Sequence, residues 1–134
     1  MHRFPIRVYY EDTDLAGVVY YANYLKFIER GRSEPLRDLG IDQVAMKAAG
    51  LVFVVRRANI DYVAPARFDD QLEVRTTVDW VKRASAAMWQ EVWRGDEKLL
   101  FAQITVACMD LDGRPARLPT EVRDKLVQLA ETGE

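Results

Sequence analysis

One amphipathic helix followed by four consecutive alternating segments constrains the fold of this chain more than any other feature of its sequence. Between residues 22 and 39, apolar side chains recur at helical spacing and charged residues occupy the other side. The predicted strands are residues 6–10 before this helix and residues 51–63, 71–80, 85–93 and 98–110 after it. Consecutive strands without helices between them do not form a parallel array. The sequence therefore predicts the α+β class, with an antiparallel five-stranded sheet wrapped around one long central helix.

The predicted central helix contains two residues that are unusual in a helix. Gly31 falls near the apolar face, where the missing side chain allows close approach to a neighbour. Pro35 lacks a backbone N–H, so we expect a bend near residues 33–35. A second, short helix is predicted over residues 42–49. The apolar face of the long helix consists of Leu25, Ile28, Leu36 and Leu39, extended backwards by Tyr21 and Tyr24. A last helix is predicted whose core-facing residues are Val122, Leu126 and Leu129.

Length and composition predict one compact domain. The chain has 134 residues, 49% hydrophobic and 30% charged, so it can bury a core and is expected to form a single domain over residues 1–134. Its formal charge of −2 offers no field for binding nucleic acid through phosphates. No apolar run approaches the roughly 20 residues that span a bilayer, and the first residues lack a signal-peptide core. A cytoplasmic location without an integral membrane segment is therefore expected.

The single cysteine and the single histidine narrow the possible chemistry. Cys108 lies in an alternating apolar segment, where a buried thiol is expected, and no second cysteine can form an internal disulfide with it. His2 lies at a terminus that is expected to be mobile, which argues against Ser-His-Asp triads, Cys-His pairs and His-ligated metal sites. Neither a metal nor an organic cofactor is expected.

The segment between the first strand and the long helix carries the candidate chemistry. Residues 9–24 read Tyr-Tyr-Glu-Asp-Thr-Asp-Leu-Ala-Gly-Val-Val-Tyr-Tyr-Ala-Asn-Tyr. Asp14 precedes the helix N-terminus, where unpaired N–H groups and a partial positive charge stabilise negative charge. A carbonyl directed there would be polarised by one such N–H, for which we choose the backbone amide of Tyr21. Asp14 could then act as a nucleophile or as a general base toward water.

The same acidic residues also have a purely structural interpretation, because aspartate often caps a helix or closes a turn. We expect this role for Asp12 and Thr13. Glu11 is a second candidate for the catalytic carboxylate.

Residues 9–24 resemble the signature of the 4-hydroxybenzoyl-CoA thioesterase superfamily, and within it the YbgC-type acyl-CoA thioesterases linked to the Tol-Pal system. The likeness includes Phe53–Arg57 and Tyr62–Asp70 and covers about residues 6–119. It implies a single hotdog domain that hydrolyses an acyl-CoA thioester to free acid and coenzyme A, with Asp14 as the essential carboxylate. It also implies a homo-oligomer, a dimer or a tetramer, with each site at a subunit interface.

One residue departs from the YbgC-type pattern. YbgC-type proteins commonly have histidine at the position of Tyr21. The 4-hydroxybenzoyl-CoA enzymes have tyrosine there, as this chain does. Histidine-assisted proton transfer is therefore not expected, whereas stabilisation by the backbone amide does not depend on the side chain. The acyl preference stays open between aliphatic and aromatic groups, and the Tyr21 side chain either contacts the acyl group or packs.

A basic turn between two predicted strands is the candidate site for the phosphates of coenzyme A, which require cations. Lys82, Arg83 and Ser85 match the turn that contacts the nucleotide end in the related enzymes, and the alternative is a solvated surface turn. Further candidates for phosphate binding are Arg56, Arg57 and Arg67. Their alternative role is to cover apolar surface, as arginines along strands often do. Large aromatic residues expected in the core or a subunit interface are Trp80, Trp89 and Trp93.

Two other functions are compatible with the predicted fold. A hotdog hydratase or dehydratase normally needs a histidine paired with a carboxylate, and His2 is poorly placed for that. A non-catalytic module would bind acyl-CoA or an acyl-carrier protein, but it has no use for a carboxylate beside a thioester carbonyl. The expected partners are an acyl-CoA substrate, with an acyl-carrier protein as a further candidate, and no nucleic acid.

Overall fold

The computed structural model describes residues 1–131, which contain the predicted elements in the predicted order. The strands are β1 (His2–Arg7), β2 (Leu51–Tyr62), β3 (Gln71–Val81), β4 (Ser85–Arg94) and β5 (Glu97–Asp110). The helices are α1 (Asn23–Asp38), α2 (Gln43–Ala48) and α3 (Thr120–Glu131). Residues 132–134, the end of the expected domain, lie outside the described residues. No helix within residues 1–131 is long and apolar enough to cross a membrane.

The strands form one antiparallel sheet in the order β1-β3-β4-β5-β2, which confirms the α+β class and the five-stranded antiparallel sheet. The prediction for β1 was wrong in position, because the strand runs from His2 to Arg7 and not over residues 6–10. Val8 leaves the ladder and pairs with a loop instead, since its N–H donates to the Asp70 carbonyl at 2.9 Å. His2 consequently lies within β1, where it pairs with Thr76, and its Nε2 lies 2.9 Å from Asp38 Oδ2.

The inner face of the sheet is apolar, and a bulge limits the alternation predicted for β3. Leu72, Val74, Thr76 and Val78 are buried, as predicted. The register shifts between Val78 and Trp80, so that Trp80 pairs with Ala87. Because an extra residue reverses the facing of the side chains that follow it, Trp80 lies on the outer face and not with the other four.

Helix α1 packs on the inner face against β1, β3 and β4. Its buried residues are Tyr24, Phe27, Ile28, Gly31, Pro35 and Leu36. The inclusion of Leu25 and Tyr21 in the buried face was therefore wrong, because Leu25 is 45% exposed and Tyr21, which precedes α1, is 62% exposed. Phe27 is buried instead. Helix α3 packs against β3, and its Val122, Leu126 and Leu129 are buried as predicted. Cys108 is also buried in this part of the core.

Gly31 and Pro35 are accommodated together by one contact with the sheet. A Cβ atom on Gly31 would lie only 2.2 Å from Val74 Cγ1, so only glycine fits there. The Gly31 carbonyl would normally accept the N–H of residue 35, which proline lacks. The buried hydroxyl of Thr76 donates to this carbonyl at 2.9 Å instead. Residues 33–35, where we expected a bend, lie within the continuous helix α1.

Candidate active site

The loop before α1 holds Asp14 at a tight turn. Thr13 and Val19 form an isolated antiparallel bridge, and between them the Asp14 N–H donates to the Val18 carbonyl at 2.9 Å. The chain reverses at Gly17, whose φ of +80° favours glycine. Asp14 Oδ1 accepts the Ala16 N–H at 3.0 Å, and the carboxylate is exposed. The turn thus orients one carboxylate oxygen and leaves the group accessible to a ligand.

Asp12 and Thr13 stabilise this loop, as predicted. Asp12 Oδ2 accepts the Tyr9 N–H at 2.8 Å, and the Thr13 hydroxyl donates to the Tyr10 carbonyl at 2.8 Å. The Asp12 carbonyl accepts both the Tyr20 N–H at 3.0 Å and the Asn23 side-chain amide at 2.9 Å. These bonds tie the loop to the first turn of α1.

Residues 64–70 form a frame around the loop, a role that the sequence analysis did not predict. The Val19 N–H donates to the Ala66 carbonyl at 2.8 Å, and the Ala66 N–H donates to the buried Tyr24 hydroxyl at 2.9 Å. Asp70 fixes the frame by accepting from Arg94 Nη1 at 2.7 Å. Burial raises the pKa of Asp70, but hydrogen bonds from the Arg67 backbone and Arg94 outweigh this effect and leave the pKa lowered.

The peptide groups next to Tyr21 are held at the start of α1. The Tyr20 carbonyl accepts the Asn23 N–H at 2.8 Å, and the Tyr21 carbonyl accepts the Tyr62 hydroxyl at 3.3 Å. Among residues 1–131, no acceptor is found for the Tyr21 N–H. Tyr62 was not among the predicted site residues, although it begins the second segment of family likeness.

Aromatic rings surround this position. A groove of about 250 Å³ is lined by Val19, Tyr21, Tyr24, Tyr62, Val63, Ala64 and Pro65. Tyr20 lies against Tyr21 with ring centroids 4.9 Å apart. The hydrogen-bonding contact with Tyr21 raises the pKa of Tyr20, and the nearby Asp14 charge adds to the effect. Tyr21 therefore borders a groove, while Asp14 lies outside its lining.

The predicted phosphate-binding residues lie far from Asp14 within one chain. Lys82 and Arg83 are exposed in the β3–β4 turn, where the Lys82 N–H donates to the Ser85 carbonyl at 2.7 Å. The Asp14 loop is bridged to Arg67, just before β3 begins at Gln71, and the basic turn follows the end of β3 at Val81. Strand β3 is about 33 Å long at 3.3 Å per residue. One chain does not bring the two groups together.

The other candidates lie apart from this loop or serve it structurally. Arg56 and Arg57 are exposed at the bulge of β2, and Arg67 forms a bridge with Val18 in the frame. Glu11 is exposed one turn before Asp14. The three tryptophans are half-buried and are not part of the apolar core: Trp80, Trp89 and Trp93.

The fold and the loop define a class: one antiparallel sheet packed on a central helix, with an accessible carboxylate just before the helix. A model of the thioesterase-like superfamily matches residues 8–126. The acyl-CoA thioester hydrolase YbgC of Escherichia coli is 42% identical, over 91% of this chain and 92% of that protein. The acyl-CoA thioesterase YbgC of Haemophilus influenzae is 46% identical, over 90% of each chain.

The crystal structure of a probable thioesterase from Bartonella henselae superposes with a TM-score of 0.84 and 41% identity, covering 88% of this chain and 98% of that one. The chain belongs to the thioesterase-like superfamily. The predicted hotdog fold and the resemblance to YbgC-type thioesterases are thereby confirmed.

Proposed function

We propose that this protein hydrolyses an acyl-CoA thioester to a free acid and coenzyme A, with Asp14 as the catalytic carboxylate. The observation that carries this proposal is the accessible Asp14 carboxylate in the loop that leads to Tyr21, whose N–H has no acceptor within residues 1–131. The family membership and the names of the relatives support the reaction type.

In the proposed reaction, the thioester carbonyl oxygen lies against the Tyr21 N–H at the start of α1. Negative charge that develops on this oxygen is stabilised by the N–H and by the positive end of the helix. Asp14 attacks the carbonyl carbon directly or removes a proton from an attacking water. Direct attack expels the coenzyme A thiolate and leaves an Asp14 anhydride, which water then hydrolyses to the free acid. General-base attack by water expels the thiolate and gives the free acid without a covalent intermediate. Both routes are compatible with the loop.

We propose that the complete site needs two chains, because Asp14 and the Lys82–Ser85 turn are at opposite ends of β3. The outer edge of β2 has no strand partner among residues 1–131, and its apolar residues Val54 and Val55 are 40% and 47% exposed. Such a long edge is suited to pairing with another copy. Antiparallel pairing of two β2 strands reverses one chain relative to the other.

In that arrangement, the turn of one chain and the partner subunit's Asp14 lie at the same end of the joined sheet. Lys82, Arg83 and Ser85 would then bind the phosphates of a coenzyme A whose thioester reaches the partner subunit's Asp14. The dimer could assemble further into a tetramer through the outer faces of the sheets. The single domain over residues 1–134 and the cytoplasmic location stay predictions.

Replacement of Asp14 with Asn tests the catalytic assignment. The amide oxygen of Asn can still accept the Ala16 N–H, so the turn is kept while the negative charge is lost. Loss of a general base or nucleophile should lower kcat by about 10²–10⁴-fold, measured as thiol release from short, long and aromatic acyl-CoAs. Glu11→Gln is the matched control and should keep the wild-type rate. Wild-type turnover by Asp14→Asn on these substrates would disprove the assignment.

The main alternative is a non-catalytic module that binds acyl-CoA or an acyl-carrier protein. Calorimetry on the wild-type protein distinguishes the two functions. Affinity for acyl-CoA without thiol release from any acyl length would support the binding module and contradict hydrolysis.

A further inference from the structure

A small cavity lies between α1 and the part of the inner sheet face that α1 leaves uncovered. Its volume is about 250 Å³, below the roughly 300–1,000 Å³ of sites for drug-sized ligands. Most of its wall is apolar and includes Phe53 and Val55 of β2 and Met88 of β4. A cavity of this size and lining suits a short acyl group.

One side of the cavity carries a cation. Arg32 of α1 lines it, and Arg32 Nη1 donates to the Oε1 atom of the buried Gln90 at 3.1 Å. Gln90 is itself held by the Ile28 carbonyl, which accepts from its Nε2 at 2.8 Å. The guanidinium is thus positioned by the same buried polar contacts that join α1 to the sheet.

The guanidinium of Arg32 lacks an acidic partner within residues 1–130. Glu29, one helical turn before Arg32, also lines the cavity, but its Oε2 accepts the Ser33 hydroxyl at 3.0 Å and no ion pair joins it to Arg32. Burial lowers the pKa of Arg32, and the charge of Glu29 offsets this only in part. A guanidinium has five N–H donors, and one described bond leaves most of them available to a ligand.

We infer that Arg32 binds the far end of the acyl group, and that the preferred substrates are short acyl-CoAs that end in a carboxylate. A carboxylate can accept two parallel hydrogen bonds from a guanidinium, and this pairing is strong where water is largely excluded. A purely aliphatic acyl group would cover the cation with hydrocarbon and leave its donors unpaired, which disfavours binding.

The inference rests on the proposed hydrolysis and on the proposed two-chain site. Arg32 lies about 14 Å along α1 from Asn23 at 1.5 Å per residue, and Tyr21 precedes Asn23. A short acyl group cannot span this distance within one chain. The cavity lies in the half of the sheet that contains Phe53 and the β3–β4 turn. Antiparallel pairing through β2 brings the partner subunit's Asp14 to this half, so one acyl group could reach both.

A shape-matched pair of substrates tests this inference. Succinyl-CoA ends in a carboxylate, and isocaproyl-CoA carries an isopropyl group of similar size and shape at the same position. We expect wild-type kcat/KM, after subtraction of the uncatalysed rate, to favour succinyl-CoA by at least about tenfold. Arg32→Met should remove or reverse this preference. Arg32→Lys should reduce it, because lysine keeps the charge but not the paired donors.

Arg37→Met is the control variant, because Arg37 is on the same helix and its side chain is 75% exposed. It should keep the wild-type ratio. Preference of the wild-type protein for isocaproyl-CoA, or an unchanged ratio in Arg32→Met, would overturn the inference. If Arg32→Met does not fold, the ratio of Arg32→Lys decides, and an unchanged ratio again overturns it.

Direct binding separates this inference from the proposed function. If the wild-type protein hydrolyses no acyl-CoA, hydrolysis fails, and the dissociation constants of succinyl-CoA and isocaproyl-CoA are measured by calorimetry on the same variants. Tighter binding of succinyl-CoA that Arg32→Met abolishes supports the inference, and equal binding of the two ligands overturns it.

Discussion

Tyr62 has a position from which it can act on the reaction without touching the reacting atoms. Its hydroxyl donates to the carbonyl of Tyr21 at 3.3 Å, and its ring meets the Tyr21 ring at a centroid distance of 6.2 Å. Burial raises the pKa of Tyr62, so the hydroxyl stays protonated and able to donate near neutral pH. We regard Tyr62 as a positioning residue for the peptide groups at the start of α1.

Tyr62→Phe should therefore lower kcat by about threefold to tenfold, with KM and the thermal midpoint nearly unchanged. The expected loss corresponds to one hydrogen bond of about 1 kcal/mol. Tyr24→Phe provides the contrast, because the Tyr24 hydroxyl accepts the buried Ala66 N–H and its loss should mainly lower the thermal midpoint. Steady-state kinetics and thermal unfolding on both variants check the distinction. An unchanged kcat in Tyr62→Phe would contradict it.

Glu91 gives a pH dependence to stability. Trp89 and Trp93 each donate an indole N–H to its carboxylate at 2.8 Å. Burial raises the pKa of Glu91, but these two bonds and the charge of Lys98 outweigh it, so the pKa is lowered. A lowered pKa stabilises the folded state above the unfolded-state value of about 4.3, and the contribution is lost as the pH falls through the folded-state value.

Glu91→Gln should lower the free energy of unfolding by about 2 kcal/mol at neutral pH, because both indoles lose a charged acceptor. The difference from the wild-type protein should shrink as the pH falls below about 4. Urea unfolding at fixed protein concentration across this range measures it. Glu97→Gln is the control, because Glu97 is 55% exposed and should change stability by less than about 1 kcal/mol. A difference independent of pH would refute the assigned cause.

The contact between α1 and β3 explains how a helix can contain proline in its last turn and still be continuous. The Thr76 hydroxyl replaces the N–H that Pro35 cannot offer to the Gly31 carbonyl. The absence of a Cβ on Gly31 lets the helix come close enough to β3 for this bond. Glycine, proline and threonine therefore act as one unit, although the first two are on the helix and the third is on the sheet.

Thr76→Val should destabilise the protein by about 1–3 kcal/mol, because it leaves a buried carbonyl without its donor. In a Pro35→Ala background the loss should be smaller by about 1 kcal/mol, since the N–H of residue 35 can then bond to the Gly31 carbonyl. The Gln90 contact to Thr76 is lost in both backgrounds and cancels. Urea unfolding of the four proteins gives the coupling energy. If the effects of the two mutations on the free energy of unfolding are additive, the Thr76 hydroxyl does not replace the missing N–H of residue 35. Thr77→Val, on the opposite face of β3, is the control.

At the scale of the whole molecule, the distance between Asp14 and the basic turn makes the proposed site a property of two chains. Asp14→Asn and the double variant Lys82→Ala/Arg83→Ala should each lose activity as homo-oligomers. Subunit exchange between them should restore about a quarter of the wild-type activity, because half of the dimers are mixed and each has one intact site. Thiol release after exchange, with light scattering to follow assembly, measures this. Activity that stays at the level of the separate variants would show that each site belongs to one chain.

The sequence predicted a helix or strand well where local periodicity alone determines its position. Residues 71–80 alternate strictly, and β3 is found over Gln71–Val81. The errors occur where contacts with residues distant in the chain determine where a strand ends or which way a side chain faces. Val8 leaves β1 because residues 69 and 70 bond to it, and Trp80 changes face because of a bulge opposite β4. Leu25 is exposed although its spacing fits the buried face, because Phe27 takes the position against the sheet.

The sequence by itself determined the order of elements, the α+β class and the prediction that Asp14 precedes the long helix, because spacing and turn residues act over short distances along the chain. Only the tertiary structure revealed that residues 64–70 frame the loop, that Tyr62 holds the Tyr21 carbonyl and that Arg32 faces a cavity. It also separated the basic turn from Asp14. These relations join residues far apart in the chain, and they depend on how helix and sheet approach each other in three dimensions.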